Sequence, residues 1–264
     1  AIKRDDPNGL LIRNYDLSKL ETLFLAGERS DPDTLKWAET HLGVPVIDHW
    51  WQTETAWSIV ANCRGLTGPD GKPFPVKHGS PTKAAPGWDV RALGPDGREV
   101  KPREIGALCC KLPMPPAAFP TLWNAEERYR KTYFDEFPGY YKTGDAGFID
   151  EDGYVSVMTR VDDVINVAGH RLSTGQIEEV LGSHDDVAEC AVIGVPDERW
   201  QEVGHAFIAL KAGASLDEPT VAAHCVRNLA KFKVPKYVTF VDALPHNATG
   251  KILKRELKAQ LPPT

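Results

Sequence analysis

The sequence predicts an α/β region followed by a compact α+β unit. Three observations carry this. A strand–helix–strand succession runs from Leu20 to Trp51. A Gly- and Pro-dense middle with two Asp-Gly turns follows it. Beyond Asp162–Asp163 short capped helices alternate with apolar strands.

"LETLFLAGE" (20–28) is a short apolar run ending in Gly, the pattern of a buried strand. "DPDTLKWAETHLG" (31–43) has an Asp cap, Pro at the first helical position and a terminal Gly, so it is a helix. "VPVIDHWW" (44–51) is a second strand, which makes a parallel βαβ remnant. "WDVRALGPDGREV" (88–100) and "YKTGDAGFIDEDGYVSVMTR" (141–160) read as hairpins around Asp-Gly turns. The middle region is therefore expected to be a small antiparallel sheet or β-barrel. "VINVAGHR" (164–171) reads as a short strand ending in Gly169 and leading into a helix start. In "STGQIEEVLGSH" (173–184), Ser173 or Thr174 offers an N-cap and Glu178 falls near a capping-box position. "VAECAVIGVPD" and "GHAFIALKAG" are strands, "DEPTVAAHCVRNLAKFKVP" a helix, "YVTFVDALP" a strand and "KILKRELKAQL" a last helix. The expected domains are residues 1–161 and 162–264.

Composition narrows the function. An apolar fraction of 42% over 264 residues supports one large domain or two modest ones. The net charge of −6 is spread through the chain, which argues against nucleic acid or a membrane surface as partner. No apolar run is long enough to span a bilayer. The five cysteines (63, 109, 110, 190, 225) have no C-x-x-C spacing, so reduced thiols in a cytoplasm or mitochondrial matrix are expected. The chain opens without Met on "AIKRDDPNGLLIRNYD" and is expected to be the C-terminal part of a longer protein.

Four stretches hold chemistry. "DHWWQTET" (48–55) gathers a carboxylate, an imidazole, two indoles, an amide and hydroxyls just after a strand, where open α/β sheets form ligand crevices. Adjacent Trp residues are also common core residues, but burying the polar neighbours without a ligand is expensive. Asp145, in "YKTGDAG", sits in a Gly-flanked turn where its carboxylate can accept both hydroxyls of a ribose. Read alone, an Asp between glycines is more often an ordinary turn former. Arg160 and Arg171, in "TRVDDVINVAGHR", are guanidinium forks suited to phosphate oxygens, or to surface pairing with Asp162 and Asp163. Lys251, in "PHNATGK", lies on a tight loop entering a helix. The loop is not a Walker A motif, because Pro245 and Ile252 occupy required Gly and Ser/Thr positions. No metal-ligand spacing, G-x-S-x-G or G-x-G-x-x-G is found.

In their order, "AGER", "DHWWQTET", "YYKTGD", "TRVDDVINVAGHR" and "PHNATGK" make the chain resemble the C-terminal part of the adenylate-forming superfamily, specifically short-chain acyl-CoA synthetases. "LPMPPAAFPTLWNAEERYRKTYF" (112–134) resembles propionyl-CoA synthetases more than acetyl ones. The resemblance implies the adenylate-forming enzyme fold with a mobile C-terminal domain, and a two-step reaction. A short-chain carboxylate attacks ATP to give acyl-AMP, and the coenzyme A thiol then displaces AMP. It implies ATP/AMP, coenzyme A and Mg2+ as ligands. It implies the missing N-terminal part of the same enzyme, and lysine-acetylating machinery acting on Lys251, as partners.

The resemblance also assigns residues. Gly27, Glu28 and Arg29 line the adenine site; Arg29 stands where many relatives have Pro. Asp48, His49, Trp50, Trp51, Gln52 and Thr53 frame the adenine and acyl pocket, with Ala26 and Trp51 setting its depth in favour of propionate over acetate. Asp145 holds the ribose, Arg160 and Arg171 lie near ribose and phosphate, and Lys251 is the catalytic residue of the adenylating pose. Asp162 is the hinge. Ala168 and Gly169 border the thiol tunnel, and Gly169 is small so that the thiol-bearing arm can pass. Gly182, His184 and Val187 match a cation site. Two rivals are an adenylation domain serving a carrier protein and a noncatalytic module binding AMP or acyl-AMP; Lys251 argues against the latter.

Overall fold

The computed structural model describes residues 2–27, 32–247 and 250–261, excluding the side chains of Arg4, Pro32 and Asp33. The chain divides into two compact units, Ala1–Val157 and Met158–Thr264.

The first unit opens with α1 (Ile2–Asp5), β1 (Leu23–Leu25), α2 (Pro32–Leu42) and β2 (Val46–Asp48). β1 and β2 pair in parallel, with Leu23 opposite Val46 and Leu25 opposite Asp48. The expected helix begins at Pro32 and is followed by Gly43 at φ +69°, a left-handed C-terminal position that glycine adopts without strain. Its expected Asp31 cap lies outside the described residues. Leu35 and Ala38 bury against Val46, which seats the helix on the strand pair.

β3 (Trp50–Trp51), β4 (Ser58–Ala61) and β5 (Lys83–Ala84) form a three-stranded sheet. β6 (Val90–Leu93), β7 (Gly106–Lys111), β8 (Tyr140–Ile149) and β9 (Val155–Arg160) form a four-stranded sheet in that order, with α3 (Glu126–Tyr133) between β7 and β8. The middle region is thus made of open sheets; the barrel alternative is not formed. Turn chemistry fixes hairpins but not closure, which depends on how many strands the sheet can recruit. Both Asp-Gly turns are present: Gly97 N–H donates to Gly94 O (3.0 Å) and Gly153 N–H to Asp150 O (2.9 Å). After the first, however, the return arm makes only an isolated bridge, Leu93 to Glu99. The two sheets share one core containing Trp50, Ile59, Val60, Leu108, Tyr141 and Val155.

The second unit adds β10 (Val164–Val167), β11 (His170–Ser173), α4 (Thr174–Gly182), β12 (Val187–Asp197), β13 (Gln201–Leu210), α5 (Glu218–Asn228), β14 (Tyr237–Val241) and α6 (Lys254–Ala259). Its sheet runs β11-β10-β13-β12, with β14 parallel to β13. Successive strand residues point to opposite faces. Val192 and Ile208 therefore join a core with Ile177 and Leu181 of α4 and Val221 of α5. Ala191, Ile193 and Phe207 join Leu257 of α6 on the other. Two buried faces explain why β12 and β13 read as continuous apolar runs.

Two local expectations are corrected. Val164–Arg171 is not one strand leading into a helix but the first arm and turn of a hairpin, with Val167 opposite His170. Ala168 (φ +48°) and Gly169 (φ +88°) make its two-residue turn, in which both central residues take positive φ. Ser173 is the N-cap of α4 and accepts from Gln176 N–H (3.3 Å), but Glu178 closes no capping box. Its Oε1 instead accepts from Val192 N–H (2.7 Å) and pairs with Lys254 Nζ (2.8 Å). A buried strand amide and an ammonium hold that carboxylate in place of the helix's own N-terminus, where Ser173 already serves as the cap.

Candidate functional site

Parallel pairing puts the C-terminal ends of β1 and β2 side by side, the end at which open α/β sheets bind ligands. Ala26 and Gly27 leave β1 there, with Gly27 at φ +108°, next to Asp48 and His49. His49 N–H donates to Leu25 O (3.0 Å), and its ring meets Phe24 edge-on at 6.0 Å. Nδ1 of His49 is buried without a hydrogen-bond partner. Glu28 and Arg29 lie outside the described residues.

Strand alternation then separates the two indoles. Trp50 is buried at 8% exposure and Trp51 points outward at 47%. Trp50 Nε1 donates to Asp145 Oδ2 at 3.0 Å. Past β3, Thr55 is fully buried and its Oγ1 accepts from Gln52 N–H (3.1 Å), fixing the chain so that the Gln52 side chain turns back toward β8. Gln52 Nε2 donates to Asp145 Oδ2 (2.8 Å) and Thr143 O (2.8 Å). Thr53 stays exposed.

The carboxylate is aimed by a bulge. Ala107 pairs with Ala146 and Cys109 with Lys142, so β8 carries extra residues opposite Leu108. Gly144 takes φ +76° in the bulge. Thr143 Oγ1 donates to Leu108 O (2.6 Å) and accepts from Asp145 N–H (3.1 Å), replacing the interrupted ladder bonds. Trp50, Gln52 and Asp145, singled out from segments far apart in the chain, thus form one hydrogen-bonded group. Sequence reasoning missed Tyr141, whose hydroxyl donates to Gln52 Oε1 at 2.8 Å. The available signal was its place in the same YKTGD stretch, two residues before Thr143 and four before Asp145.

The remaining candidates belong to the second unit. Arg160 ends β9, and Asp162 is exposed in the helical turn Val161–Asp163 that follows. Arg171 stands opposite Asn166 in the hairpin. Asn166 Oδ1 accepts from Gly169 N–H (3.1 Å), and Ala168 N–H donates to Trp200 O (2.8 Å), so the exposed turn is braced from two sides. A Cβ on Gly169 would meet nothing within 4 Å, so the positive φ is what requires glycine within this chain. Lys251 is exposed at the base of a loop closed by Asn247. Lys251 N–H donates to Asn247 Oδ1 (2.8 Å) and Asn247 N–H to Lys251 O (2.9 Å).

Gly182, His184 and Val187 make a poor cation site. His184 Nδ1 already accepts from Asp186 N–H (3.2 Å), and the other two residues can add only main-chain carbonyls. Mg2+ calls for about six oxygens in near-octahedral array. Among the described residues no group of three His, Cys, Asp or Glu is arranged to hold a metal. No chemistry is assigned to a metal there. The buried Cys109 and Cys225 and the half-buried Cys190 are equally unsuited as nucleophiles: desolvation pushes Cys109 and Cys190 up to about 12 and Cys225 up to about 11.

Two family models match this chain: "AMP-binding enzyme" over residues 3–115 and "AMP-binding enzyme C-terminal domain" over residues 176–251. The chain belongs to the AMP-binding enzyme family. It is 44% identical over 263 residues to the mitochondrial acyl-CoA synthetase short-chain family member 3 of Mus musculus, covering 98% of this chain and 38% of the relative. It is 42% identical over 258 residues to the propionate–CoA ligase of Escherichia coli K12, covering 94% and 40%. The chain thus spans about two fifths of the length of these curated relatives. Among solved structures it is similar to the o-succinylbenzoate-CoA synthetase of Bacillus subtilis in complex with its acyl-adenylate intermediate. There the TM-score is 0.76 and the identity 28%, over 94% of this chain and 48% of that one. It is also similar to an anthranilate-CoA ligase in complex with anthranoyl-AMP, with TM-score 0.75 and 30% identity over 93% and 45%. This family's fold is the one expected from the sequence, with open sheets in place of a barrel. No helix among the described residues is long and apolar enough to cross a membrane.

Proposed function

We propose that this chain is the C-terminal part of an AMP-forming short-chain acyl-CoA synthetase, with propionate preferred over acetate or butyrate. The observation that carries the reading is the Asp145 carboxylate, aimed by a bulge and oriented by Trp50 and Gln52. A fixed carboxylate of this kind accepts hydrogen bonds from a vicinal diol such as the ribose of ATP. The names of the curated relatives supply the reaction class.

In this reading His49, Gly27 and the start of the Asp48–Thr53 segment flank the adenine. Arg160 and Arg171 neutralise ribose-side and phosphate oxygens. Lys251 brings an ammonium to the charge that develops as the acid attacks the α-phosphate. The second unit pivots at Asp162 and offers two exposed loops in turn: Lys251 for adenylation, then Ala168–Gly169 for entry of the coenzyme A thiol. Mg2+ enters with the ATP phosphates as part of that substrate. Because the chain spans about two fifths of its relatives, it does not adenylate alone.

Ala26 at the mouth of β1 leaves room for about one carbon beyond acetate, and Trp51 closes the pocket against long chains; one methylene is worth roughly 1–3 kcal/mol. The test is kcat/KM of the full-length enzyme for acetate, propionate and butyrate. Propionate is expected to lead, and an acetate preference of about tenfold or more overturns the substrate assignment.

A further inference from the structure

The Gln52 amide is held at both ends, and one end is held by a residue with no direct role in binding. Its Nε2 lies 2.8 Å from the Thr143 carbonyl and 2.8 Å from the Asp145 carboxylate, both of which can only accept. The nitrogen end is therefore fixed, and the other end is the carbonyl. Tyr141 must then be the donor in its 2.8 Å contact with Oε1. Burial pushes the Tyr141 phenol far up, so it keeps its proton throughout the physiological range. Its ring is fully buried, stacked on Tyr133 at 5.7 Å and met edge-on by Phe119 at 5.9 Å.

We propose that Tyr141 is a positioning residue for ribose recognition: its hydroxyl sets the Gln52 amide, and the amide orients the Asp145 carboxylate. The proposal rests on the reading of Asp145 as the ribose acceptor. Two strands are tied by this relay, because Tyr141 and Asp145 lie on β8, Gln52 follows β3, and Trp50 on β3 supplies the second donor to Oδ2. Removing the hydroxyl leaves Oε1 against an apolar ring edge. A carbonyl deprived of its donor in a buried place is unfavourable, and the readiest relief is an amide rotation that takes Nε2 off the carboxylate.

The test compares the affinity of AMP and of 2′,3′-dideoxy-AMP for the full-length protein, in wild type, Tyr141→Phe, Gln52→Met and Asp145→Ala. Wild type is expected to prefer AMP. Tyr141→Phe should cut that preference by about tenfold while leaving dideoxy-AMP affinity in place, and Gln52→Met should cut the preference by a similar factor. A purely structural role would weaken both nucleotides alike, and that result overturns the proposal. If Tyr141→Phe does not fold, Gln52→Met still tests the amide on which the relay depends, and an unchanged preference there overturns the proposal. If Asp145→Ala loses the preference while both relay variants keep it, the relay is wrong and the ribose reading stands. If Asp145→Ala keeps it, the ribose reading itself falls and the relay with it.

Discussion

Thr82 holds φ at +88° with no exposure, and its Oγ1 is buried without a hydrogen-bond partner. A β-branched residue in that region is strained, by an amount on the order of 1–3 kcal/mol. The surrounding bonds over-determine the position: Val155 N–H donates to Thr82 O (2.9 Å), and Thr82 N–H donates to Ser80 Oγ (3.1 Å). Thr82→Gly keeps both bonds and removes the strain and the orphaned hydroxyl, against about 0.5–1 kcal/mol of added chain entropy in the unfolded state. The expected outcome is a net gain of about 1 kcal/mol, read as a higher urea midpoint; an unchanged or lower midpoint refutes it. At the same scale, Trp50 is both of the things its sequence context suggested. It is a core residue at 8% exposure, and its indole N–H serves the site.

At the scale of elements, the carboxylate of Glu178 straps α4 to β12 and α6. Lys254 Nζ lies 2.8 Å from Glu178 Oε1 and 2.9 Å from Thr174 Oγ1. Their side chains are 19% and 22% exposed, too sheltered for water to replace the partner fully. Lys254→Met keeps the aliphatic stem but strips an ion-pair partner from a half-buried carboxylate. A loss of about 1–3 kcal/mol in the stability of the second unit is expected, measured by chemical denaturation. A loss below about 0.5 kcal/mol would mean that the Val192 amide alone satisfies Glu178. The bulge in β8 is the corresponding device of the first unit. Gly144 was legible as a turn-like glycine, but its use inside a strand, to re-aim Asp145, depends on the register with β7.

For the whole molecule, each unit has its own core. The clusters around Leu108 and around Leu35 fall within residues 1–157, and those around Ile208 and Phe207 within 158–264. The second unit closes a five-stranded sheet with helices on both faces, whereas β1 and β2 make only a two-stranded parallel pair in the first. Parallel pairs are stable chiefly inside larger covered sheets. Residues 158–264 expressed alone should therefore fold cooperatively, with a sigmoidal urea transition and dispersed amide resonances. A non-cooperative transition would show that this unit depends on the other.

Local pattern determined most of the elements. Capping residues, Asp-Gly turns and apolar runs marked the βαβ start, the hairpins and the helices, because those signals act within a few residues. The order of motifs determined the family. What the tertiary structure decided were the features that need partners distant in sequence. It decided which Trp faces inward, that Glu178 serves a strand instead of a helix cap, that the 164–173 segment doubles back, and that the sheets remain open. It also decided that Tyr141, beneath notice as one more aromatic, reaches Gln52 across 89 positions of chain and through it Asp145. A hydrogen bond between residues so far apart leaves no periodicity in the sequence; it exists only once packing has put β3 against β8.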